Sequence, residues 1–441
     1  MSDYLFKLTE KEEGRQKSTI SLIASENLPS PAVIDLLGGS FESKQIIGKM
    51  VRSIWSNKYG EGYPGKRYYA GNQYTDELEK YGSDLALQVF AKDLDYGVNM
   101  QMNSGSMANM MVYLSVLNYG DTVVSLDVSS GGHISHLHST SNWRKFFKYA
   151  NYGLIEISPN CFEIDFDDYC QKIIENKPKL VIIGCSSYPR AIKNYDEMIQ
   201  FAHLHGAFVL CDIAHINGLV AAGLHPSPFK IGENGADFVT MTTHKTLRGP
   251  RGALLFFKNQ FADIVNKTVF PGTSGGPHFN KIAAVSRCLE EILGIEKYPS
   301  GTSFIEYTQN VIRQTKLMEN TLLECGLEII SPTQTHLMLV KLPLELDSLK
   351  IQQKLEEIGI ITNRNSIPNE TKSMWRPSGL RLGTAGLTSR DCSDQDIILL
   401  SKLIGRVILA KFDGSDIENE NKTNKFKLEL GEIVSRLKWW Y

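Results

Sequence analysis

Residues 238–246 have the sequence Phe-Val-Thr-Met-Thr-Thr-His-Lys-Thr, in which a short apolar run leads into hydroxyl side chains, a histidine and a lysine. The run 238–241 is typical of a strand that is buried on both faces. The turn formers Gly249-Pro250-Arg251-Gly252 follow, so Lys245 is predicted to lie just beyond the end of a strand. A lysine there can form a Schiff base with the aldehyde of pyridoxal phosphate (PLP), an electron sink. On this segment alone, a solvated lysine in a turn has equal weight.

Similar apolar runs recur on both sides of this segment and alternate with stretches of helical length. The clearest predicted strands are 122–126, 180–184, 208–211, 238–241 and 253–257, and the predicted helices between them include 166–176 and 195–205. This alternation predicts an α/β fold with a mostly parallel sheet that is covered by helices on both faces. Open α/β sheets bind ligands at the carboxyl ends of their strands, which makes Ser186, Ser187 and Asp212 candidates for ligand binding.

The pattern changes after residue 290 to a long predicted helix, 303–325, and shorter strands such as 337–342. It predicts a smaller α+β domain with a polar loop at 413–424 between its last two helices. The predicted domains are an N-terminal arm with helices (1–49), a large PLP-binding domain (50–295) and a small C-terminal α+β domain (296–441).

The composition predicts a soluble globular protein and argues against other classes. The chain has 441 residues, of which 42% are hydrophobic and 22% charged, and a formal net charge of −2 that gives no polycationic surface for nucleic acid. No run approaches the ~18 apolar residues that cross a bilayer, and the N-terminus does not have a signal-peptide pattern. Seven dispersed cysteines without a C-x-x-C pair predict reduced thiols in a cytoplasmic protein and no metal site.

Asp212 ends the apolar run 208–211 and precedes Ile213-Ala214-His215. PLP needs a carboxylate beside its pyridine nitrogen, because a protonated ring withdraws electrons far better. An aspartate after a strand can also cap a helix. Since Lys245 also follows a strand, the cofactor role is the favoured interpretation of Asp212.

Two loops of small residues are candidates for binding a phosphate. Ser104-Gly105-Ser106 places two hydroxyls around a glycine before a helix-compatible run, which suits an anion at a helix N-terminus. The loop 272–277, which contains Gly275 and Gly276, also allows the backbone to approach a phosphate. A capped loop and an ordinary turn are the alternatives.

His133 and Arg381 are candidates for contacting the cofactor ring and the substrate. His133 follows two glycines, so it can approach a flat ring closely, although a lone histidine is more often structural. Arg381 lies in an apolar strand-like segment, where an unpaired guanidinium is unfavourable. A buried salt bridge or a substrate carboxylate would stabilise it, and the substrate is favoured.

The segment 57–69 contains four tyrosines, a glutamate and three glycines, which is too many turn formers for a helix. A carboxylate walled by tyrosines can have its pKa raised by desolvation, which suits Glu61 for acid–base work. An exposed tyrosine-rich loop at a subunit contact is the alternative, and both interpretations can hold together.

Taken together, these residues resemble serine hydroxymethyltransferase, a family of fold type I PLP enzymes. The resemblance covers nearly the whole chain, and the matching segments occur in the family order: 22–27, 57–69, 104–106, 131–133, 212–215, 242–252, 275–277, 363–368 and 378–383. It implies a mostly parallel seven-stranded sheet between helices, with a smaller α+β C-terminal domain.

The resemblance implies a role for each matching position around PLP. Lys245 carries the Schiff base, Asp212 pairs with the pyridine nitrogen, and His133 stacks on the ring. The phosphate is held by Ser104, Gly105, Ser106 and, from the neighbouring subunit, Gly276, and Gly275 is a further cofactor-binding position. The remaining positions around the cofactor are Ser186, His215, Thr242, His244 and Tyr59.

The resemblance also implies how the substrates bind. Arg381 and Ser25 bind the substrate carboxylate, and Glu61 transfers protons beside Tyr59 and Tyr69 of the partner subunit. The folate positions are Tyr68, Val128, Gly132, Ile134 and Asn365. Because such sites span two subunits, a homodimer at least is implied, possibly a tetramer.

This chain departs from the family pattern away from the PLP residues. It is longer between Pro31 and Asn57, in a stretch near residues 38–55. Ala70 and Ser274 replace a glycine and a glutamine, Val128 replaces a leucine of the folate pocket, and Gly383-Thr384-Ala385-Gly386 replaces Gly-Thr-Pro-Ala. These departures bear on folate use, not on PLP binding.

The predicted reaction interconverts serine and tetrahydrofolate with glycine and 5,10-methylenetetrahydrofolate, as in one-carbon metabolism and glycine biosynthesis. One alternative is a folate-independent PLP aldolase of threonine-like or α-methyl 3-hydroxy amino acids on the same scaffold. A second is a non-catalytic binding protein, which has no need for Lys245, Asp212, Glu61 and Arg381 together.

Overall fold

The computed structural model of the chain describes residues 3–38, 54–137, 141–230, 232–330, 332–373, 375–410 and 416–440. The chain forms two compact units. The larger unit comprises Asn27–Ile155 and Glu163–Thr308, and the smaller unit comprises Met1–Glu26, Glu156–Phe162 and Gln309–Tyr441. The domains predicted at 1–49, 50–295 and 296–441 remain a prediction, and most of the predicted insertion near 38–55 lies outside the described residues.

The described residues form α-helices with the following bounds: α1 (Asp3–Ser18), α2 (Pro31–Leu37), α3 (Gln73–Phe90), α4 (Gly105–Val116), α5 (Phe166–Asn176), α6 (Tyr195–Leu204), α7 (Asn217–Ala221), α8 (Ala262–Lys267), α9 (Phe279–Leu293), α10 (Phe304–Glu324), α11 (Ser348–Glu357), α12 (Ala385–Ser389), α13 (Asp394–Leu409) and α14 (Asp416–Val434). Within the same residues, no helix is both long and apolar enough to cross a membrane.

The β-strands of the described residues are β1 (Ile20–Ser21), β2 (Tyr96–Asn99), β3 (Thr122–Leu126), β4 (Lys148–Tyr152), β5 (Leu154–Ser158), β6 (Cys161–Ile164), β7 (Leu180–Gly184), β8 (Phe208–Asp212), β9 (Phe238–Thr242), β10 (Ala253–Lys258), β11 (Glu328–Ile330), β12 (Leu337–Lys341), β13 (Ile360–Ile361), β14 (Asn363–Asn365) and β15 (Gly379–Gly383). The five strands that the sequence predicts most clearly are β3, β7, β8, β9 and β10, and the predicted helices 166–176 and 195–205 are α5 and α6.

The larger unit is built on a seven-stranded sheet with the strand order β2-β10-β9-β8-β7-β3-β4. The strands from β9 to β4 pair in parallel, and β10 pairs antiparallel with both β9 and β2. All five residues of β7 and of β9 are buried, as expected for strands covered on both faces. The predicted α/β fold with a mostly parallel seven-stranded sheet is confirmed.

The neighbouring strands β7, β8 and β9 bring polar residues to one edge of this sheet. Gly184, the last residue of β7, is the register partner of Asp212, the last residue of β8, and Asp212 is the partner of Thr240 in β9. Because parallel strands end at the same edge, the segments after Asp212 and after Thr242 start beside each other. Lys245 and Asp212 are therefore carried by adjacent strands.

The smaller unit contains a four-stranded antiparallel sheet, β11-β12-β15-β14, and a parallel pair of β1 with β13. Its core is formed by apolar residues of the strands other than β14 and of α10, α11, α13 and α14. The predicted helix 303–325 and strand 337–342 correspond to α10 and β12, so the expected α+β character of this part is confirmed.

The prediction of a polar loop over 413–424 is wrong from Asp416 onward, where α14 begins. Residues 411–415 lie outside the described part of the chain. Phe426, Leu430 and Ile433 recur at helical spacing and are buried in the core of the smaller unit. Packing of this apolar stripe stabilises a helix whose first turns are polar, and polarity alone does not exclude a helix.

Candidate active site

Asp212 lies in a network of hydrogen bonds that links three segments of the larger unit. Its Oδ2 accepts hydrogen bonds from Asn109 Nδ2 on α4 and from His136 Nε2, both at 2.9 Å, and its Oδ1 accepts one from the Ala214 N–H at 3.0 Å. The Asn109 Oδ1 in turn accepts the Thr240 hydroxyl at 2.6 Å. The carboxylate is only 7% exposed and is therefore held in a fixed orientation.

The charge state of Asp212 follows from this environment. Burial by itself raises the pKa of a carboxyl, but the hydrogen bond and charge of His136, with His133 and Asn109, hold the pKa of Asp212 well below its usual range. The carboxylate is thus anionic at neutral pH. A buried anion at the carboxyl end of a strand suits a protonated ring nitrogen of a ligand.

The turn that carries Lys245 is fixed by its own backbone and by a distant asparagine. The Lys245 carbonyl accepts the Arg248 N–H at 3.0 Å and Asn27 Nδ2 at 2.7 Å. Asn27 Nδ2 also lies 2.7 Å from the Tyr307 hydroxyl. Lys245 is 7% exposed, so this is not the solvated lysine of the alternative interpretation.

Arg248 packs its guanidinium against the rings of Tyr298 and Tyr307, at 3.5 and 4.2 Å from the ring centroids. Its backbone has a φ of +65°, which a non-glycine residue seldom adopts and which ends the turn. Cation–π contacts of this kind stabilise the turn after Lys245, and they do not involve the Lys245 side chain.

His244 is a neutral imidazole at physiological pH. Burial, assisted by the nearby charges of Arg251 and Lys245, lowers its pKa to about 4. Thr242 and His215 are also buried, and the Thr242 hydroxyl donates to the Ala214 carbonyl at 3.1 Å. Thr242 ends β9, and His215 and His244 lie in the segments that follow β8 and β9.

The N-terminus of α4 provides the predicted phosphate-binding segment. Ser104 is the N-cap, and its hydroxyl accepts the Met107 N–H at 3.2 Å. Ser104 and Ser106 are exposed, and a Cβ on Gly105 would lie 3.0 Å from Thr242 Cγ2. Exposed hydroxyls and N–H groups at a helix start, next to the end of β9, form a suitable cradle for an anion.

The two glycines before His133 are required by the backbone around them. Gly131 has a φ of +101°, and a Cβ on Gly132 would lie 2.2 Å from the Leu126 carbonyl oxygen. The Ser186 N–H donates to the Gly131 carbonyl at 2.8 Å. His133 Nδ1 lies 2.7 Å from the Ser135 hydroxyl, so the ring orientation is set locally.

Glu61 and two tyrosines form a second group of predicted site residues. The Tyr59 hydroxyl donates to Glu61 Oε1 at 2.7 Å, a hydrogen bond that raises the pKa of Tyr59 to about 12. The rings of Tyr59 and Tyr69 meet edge to face with centroids 4.9 Å apart. A Cβ on Gly275 would lie 3.2 Å from Glu61 Oε1, and one on Gly276 would lie 3.3 Å from Tyr59 Cε2. One chain therefore brings Glu61 and the second glycine loop together.

The predicted carboxylate-binding residues lie in the smaller unit. Arg381 is in β15, its Nε donates to Asn363 Oδ1 at 3.1 Å, and burial lowers its pKa to about 10. Ser25 follows Ala24, whose Cα would lie 2.6 Å from a Cβ on Gly383 at the end of β15. The turn with Ser25 therefore packs against the strand that carries Arg381.

The predicted folate positions are distributed over both units. Tyr68 and Ile134 are 77% and 53% exposed, and the Tyr68 ring lies 5.6 Å from that of Phe270. Val128 lies in the turn after β3, and its carbonyl accepts the Gly131 N–H. Asn365 ends β14 in the smaller unit.

Asn109 and His136 were not assigned a role by the sequence, although they hold Asp212. The available signal was an asparagine within the apolar helix segment after Ser104, where a buried amide needs several partners. His136 had no such signal, because its contact with Asp212 joins residues 76 positions apart.

Comparisons with known proteins agree with this arrangement. The family described as serine hydroxymethyltransferase matches residues 1–404. A serine hydroxymethyltransferase of Desulfotalea psychrophila is 39% identical over 406 residues, which cover 92% of this chain and 88% of that protein. The match includes the strands and turns that carry Asp212 and Lys245, and the chain belongs to the serine hydroxymethyltransferase family.

Proposed function

We propose that the protein interconverts L-serine and tetrahydrofolate with glycine and 5,10-methylenetetrahydrofolate, using PLP. The observation that carries this proposal is the buried, anionic Asp212 on the strand next to the one that leads to Lys245. Membership in the serine hydroxymethyltransferase family supports the choice of substrates.

The residues on this edge of the sheet fit PLP. Asp212 offers a fixed carboxylate for the pyridine nitrogen, and Ser104, Gly105 and Ser106 offer hydroxyls and N–H groups for the phosphate. His133 provides a flat ring for stacking. When bound, PLP supplies a protonated ring that accepts the electron pair released at the substrate α-carbon.

The other roles belong to side chains of the chain itself. Arg381, with Ser25, binds the carboxylate of serine or glycine, for which a guanidinium is the best-matched partner. The Glu61 carboxylate, held by the Tyr59 hydroxyl, transfers a proton at the reacting substrate. His244, being neutral, adds no positive charge beside Lys245.

The predicted homodimer, possibly a tetramer, is part of the same proposal. Glu61, Tyr59 and Gly276 lie together within one chain. The two loops that carry them can therefore complete the site of a second subunit. A cytoplasmic location is proposed because no cysteine of the described residues forms a disulfide.

The test is to titrate purified protein, loaded with PLP and glycine, with tetrahydrofolate. We expect a new visible absorption band that folate strengthens, together with folate-dependent turnover of serine. The Lys245→Ala variant is the control and is expected to show no turnover.

The alternative function, a folate-independent aldolase, makes a different prediction in the same experiment. Acetaldehyde release from allo-threonine with no folate effect on serine would support the aldolase and contradict the folate assignment. Unchanged turnover by Lys245→Ala would contradict both.

A further inference from the structure

The loop that carries Glu61 is folded tightly over the start of α3. Gly62 has a φ of +95°, and a Cβ there would lie 2.7 Å from the Lys66 carbonyl oxygen. The Glu61 carbonyl accepts the Tyr68 N–H at 3.0 Å, which closes the loop. The Glu61 side chain leaves this loop toward Tyr59.

Arg67 lies beneath the loop, and its side chain is only 3% exposed. Its Nη1 donates to the carbonyl of Gly60 at 3.2 Å and to that of Gly62 at 2.7 Å. These are the residues directly before and directly after Glu61. One nitrogen therefore holds the backbone on both sides of Glu61.

The guanidinium is itself held by the carboxylates of α3. Its Nε donates to Asp76 Oδ1 at 2.7 Å and its Nη2 to Glu79 Oε2 at 2.5 Å. Gln101 Nε2 links Glu79 Oε1, at 2.8 Å, to the Gly62 carbonyl, at 3.1 Å. The carboxylates of Asp76 and Glu79 satisfy a buried cation that would otherwise be strongly destabilising, and Gln101 is a second donor to the loop.

This arrangement uses the shape of arginine as well as its charge. Four acceptors lie around the planar fork of Arg67, two on the loop and two on α3. A lysine ammonium donates from a single point and cannot span them. A purely structural ion pair to α3 would not require the contacts to Gly60 and Gly62.

We propose that Arg67 is a positioning residue for Glu61, which it fixes by binding the two carbonyls that flank that residue. This inference rests on the proposed role of Glu61 in proton transfer. Arg67 acts through the loop and does not itself touch the substrate. The proposal predicts that loosening the loop impairs the proton-transfer step more than substrate binding.

The test compares Arg67→Lys, Glu61→Gln and the double variant with the wild-type protein. Arg287→Lys is the matched control, because Arg287 also pairs with carboxylates of the larger unit, Glu290 and Glu291, but is not bonded to the loop. Two quantities are measured: serine kcat and KM of the PLP-loaded enzyme, and hydrogen–deuterium exchange over residues 60–68 of the PLP-free protein.

We expect Arg67→Lys to lower kcat by about tenfold or more while KM for serine changes less than about threefold. Exchange over residues 60–68 is expected to accelerate in Arg67→Lys and to stay unchanged in Arg287→Lys. In the Glu61→Gln background, Arg67→Lys is expected to lower kcat by less than about twofold further, since both changes affect one function.

Two results would overturn the proposal. If the losses of kcat multiply in the double variant, Arg67 acts independently of Glu61. If exchange over 60–68 is unchanged, Arg67 does not hold the loop.

Should Arg67→Lys not fold, Asp76→Asn removes one of the carboxylates that hold Arg67 and must show the same exchange effect. If the wild type does not turn over serine, the proposed function fails. The exchange measurement still shows whether Arg67 holds the loop.

Discussion

At the scale of single residues, the partners of two buried polar groups, Asp212 and His225, fix their protonation states. Asp212 stays anionic because donors from α4 and from the segment after β3 converge on it. His225 shows the opposite case, a buried imidazole that stays neutral. Its Nε2 accepts the Ile192 N–H at 3.2 Å and its Nδ1 donates to the Pro226 carbonyl at 2.8 Å. A proton on Nε2 would replace the acceptor by a second donor facing an N–H.

His225 therefore predicts a pH dependence of stability. Burial lowers its pKa from 6.5 to about 4, so between these pH values the unfolded chain binds a proton that the native chain does not. The stabilisation is complete above pH 6.5 and is lost as the pH falls to about 4, with a slope of at most about 1.4 kcal/mol per pH unit. Urea unfolding of wild type and His225→Gln measures the difference in unfolding free energy, which should shrink as the pH falls.

Ile192→Ala is the control for this prediction, because it truncates a buried apolar side chain, keeps the backbone N–H that bonds to His225, and removes no titratable group. Its difference from the wild type should be independent of pH over the same range. A constant difference for His225→Gln would contradict the assignment of a neutral buried histidine.

At the scale of elements, the N-termini of α4 and α13 have different expected roles. Both are capped by a serine, but only that of α4 is expected to bind a ligand. Ser104 caps α4 beside the end of β9, and Ser393 caps α13 in the smaller unit, where it accepts the Asp396 N–H at 3.1 Å. Both hydroxyls satisfy an N–H that the helix leaves unpaired. Of these two helices, only α4 begins with a glycine, and the backbone of this Gly105 packs against Thr242.

Ser104→Ala and Ser393→Ala should each lower the free energy of unfolding by about 1 kcal/mol, because each removes one cap. Only Ser104→Ala should also weaken PLP binding, by roughly tenfold, since it removes a donor to the phosphate. Denaturant unfolding measures the first effect, and titration of the PLP-free protein with PLP measures the second. Equal PLP affinities of the two variants would argue against α4 as the phosphate site.

At the scale of the whole molecule, the proposed function requires that residues of two chains complete one site. Glu61, Tyr59 and the loop with Gly275 and Gly276 form one group, whereas Asp212 and Lys245 belong to another. If the two groups act across a subunit boundary, each dimer has two sites. Each site combines Asp212 and Lys245 of one subunit with the Glu61 group of the other.

Mixed dimers test this requirement. Lys245→Ala and Glu61→Gln homodimers should both be nearly inactive, but unfolding and refolding them together should restore about a quarter of the wild-type serine turnover. Half of the mixed population carries both changes, and one of its two sites has Lys245 and Glu61 intact. Absence of any recovery, with dimers shown by analytical ultracentrifugation, would mean that both residues act within one chain.

The class of the fold and the central strands of its large sheet could be predicted from local sequence. The runs at 180–184 and 238–241 are apolar because both faces of β7 and β9 are buried, and the alternation with helices defined the α/β class. The start of α14 was predicted wrongly at this level, since it is polar and resembles a loop, and the contacts that stabilise the helix lie in a distant core.

The candidate site was predicted only as far as single segments allowed. Lys245, Asp212 and the Ser104 segment each carry a local signal, because turns and caps need particular residue types. His136 and Arg67 do not, because their roles depend on partners that the fold brings together, and Asn109 is marked only as a polar residue within an apolar helix segment.

The sequence by itself determined five strands of the large sheet, their order along the chain and the residue types that follow them. The tertiary structure alone decided which donors keep Asp212 anionic and that Gln101 supports the loop of Glu61. The physical reason is the separation along the chain of the residues that interact. Backbone and hydrophobic patterns repeat over a few residues, whereas the hydrogen bonds from Asn109 to Asp212 and from Gln101 to Gly62 join residues 103 and 39 positions apart.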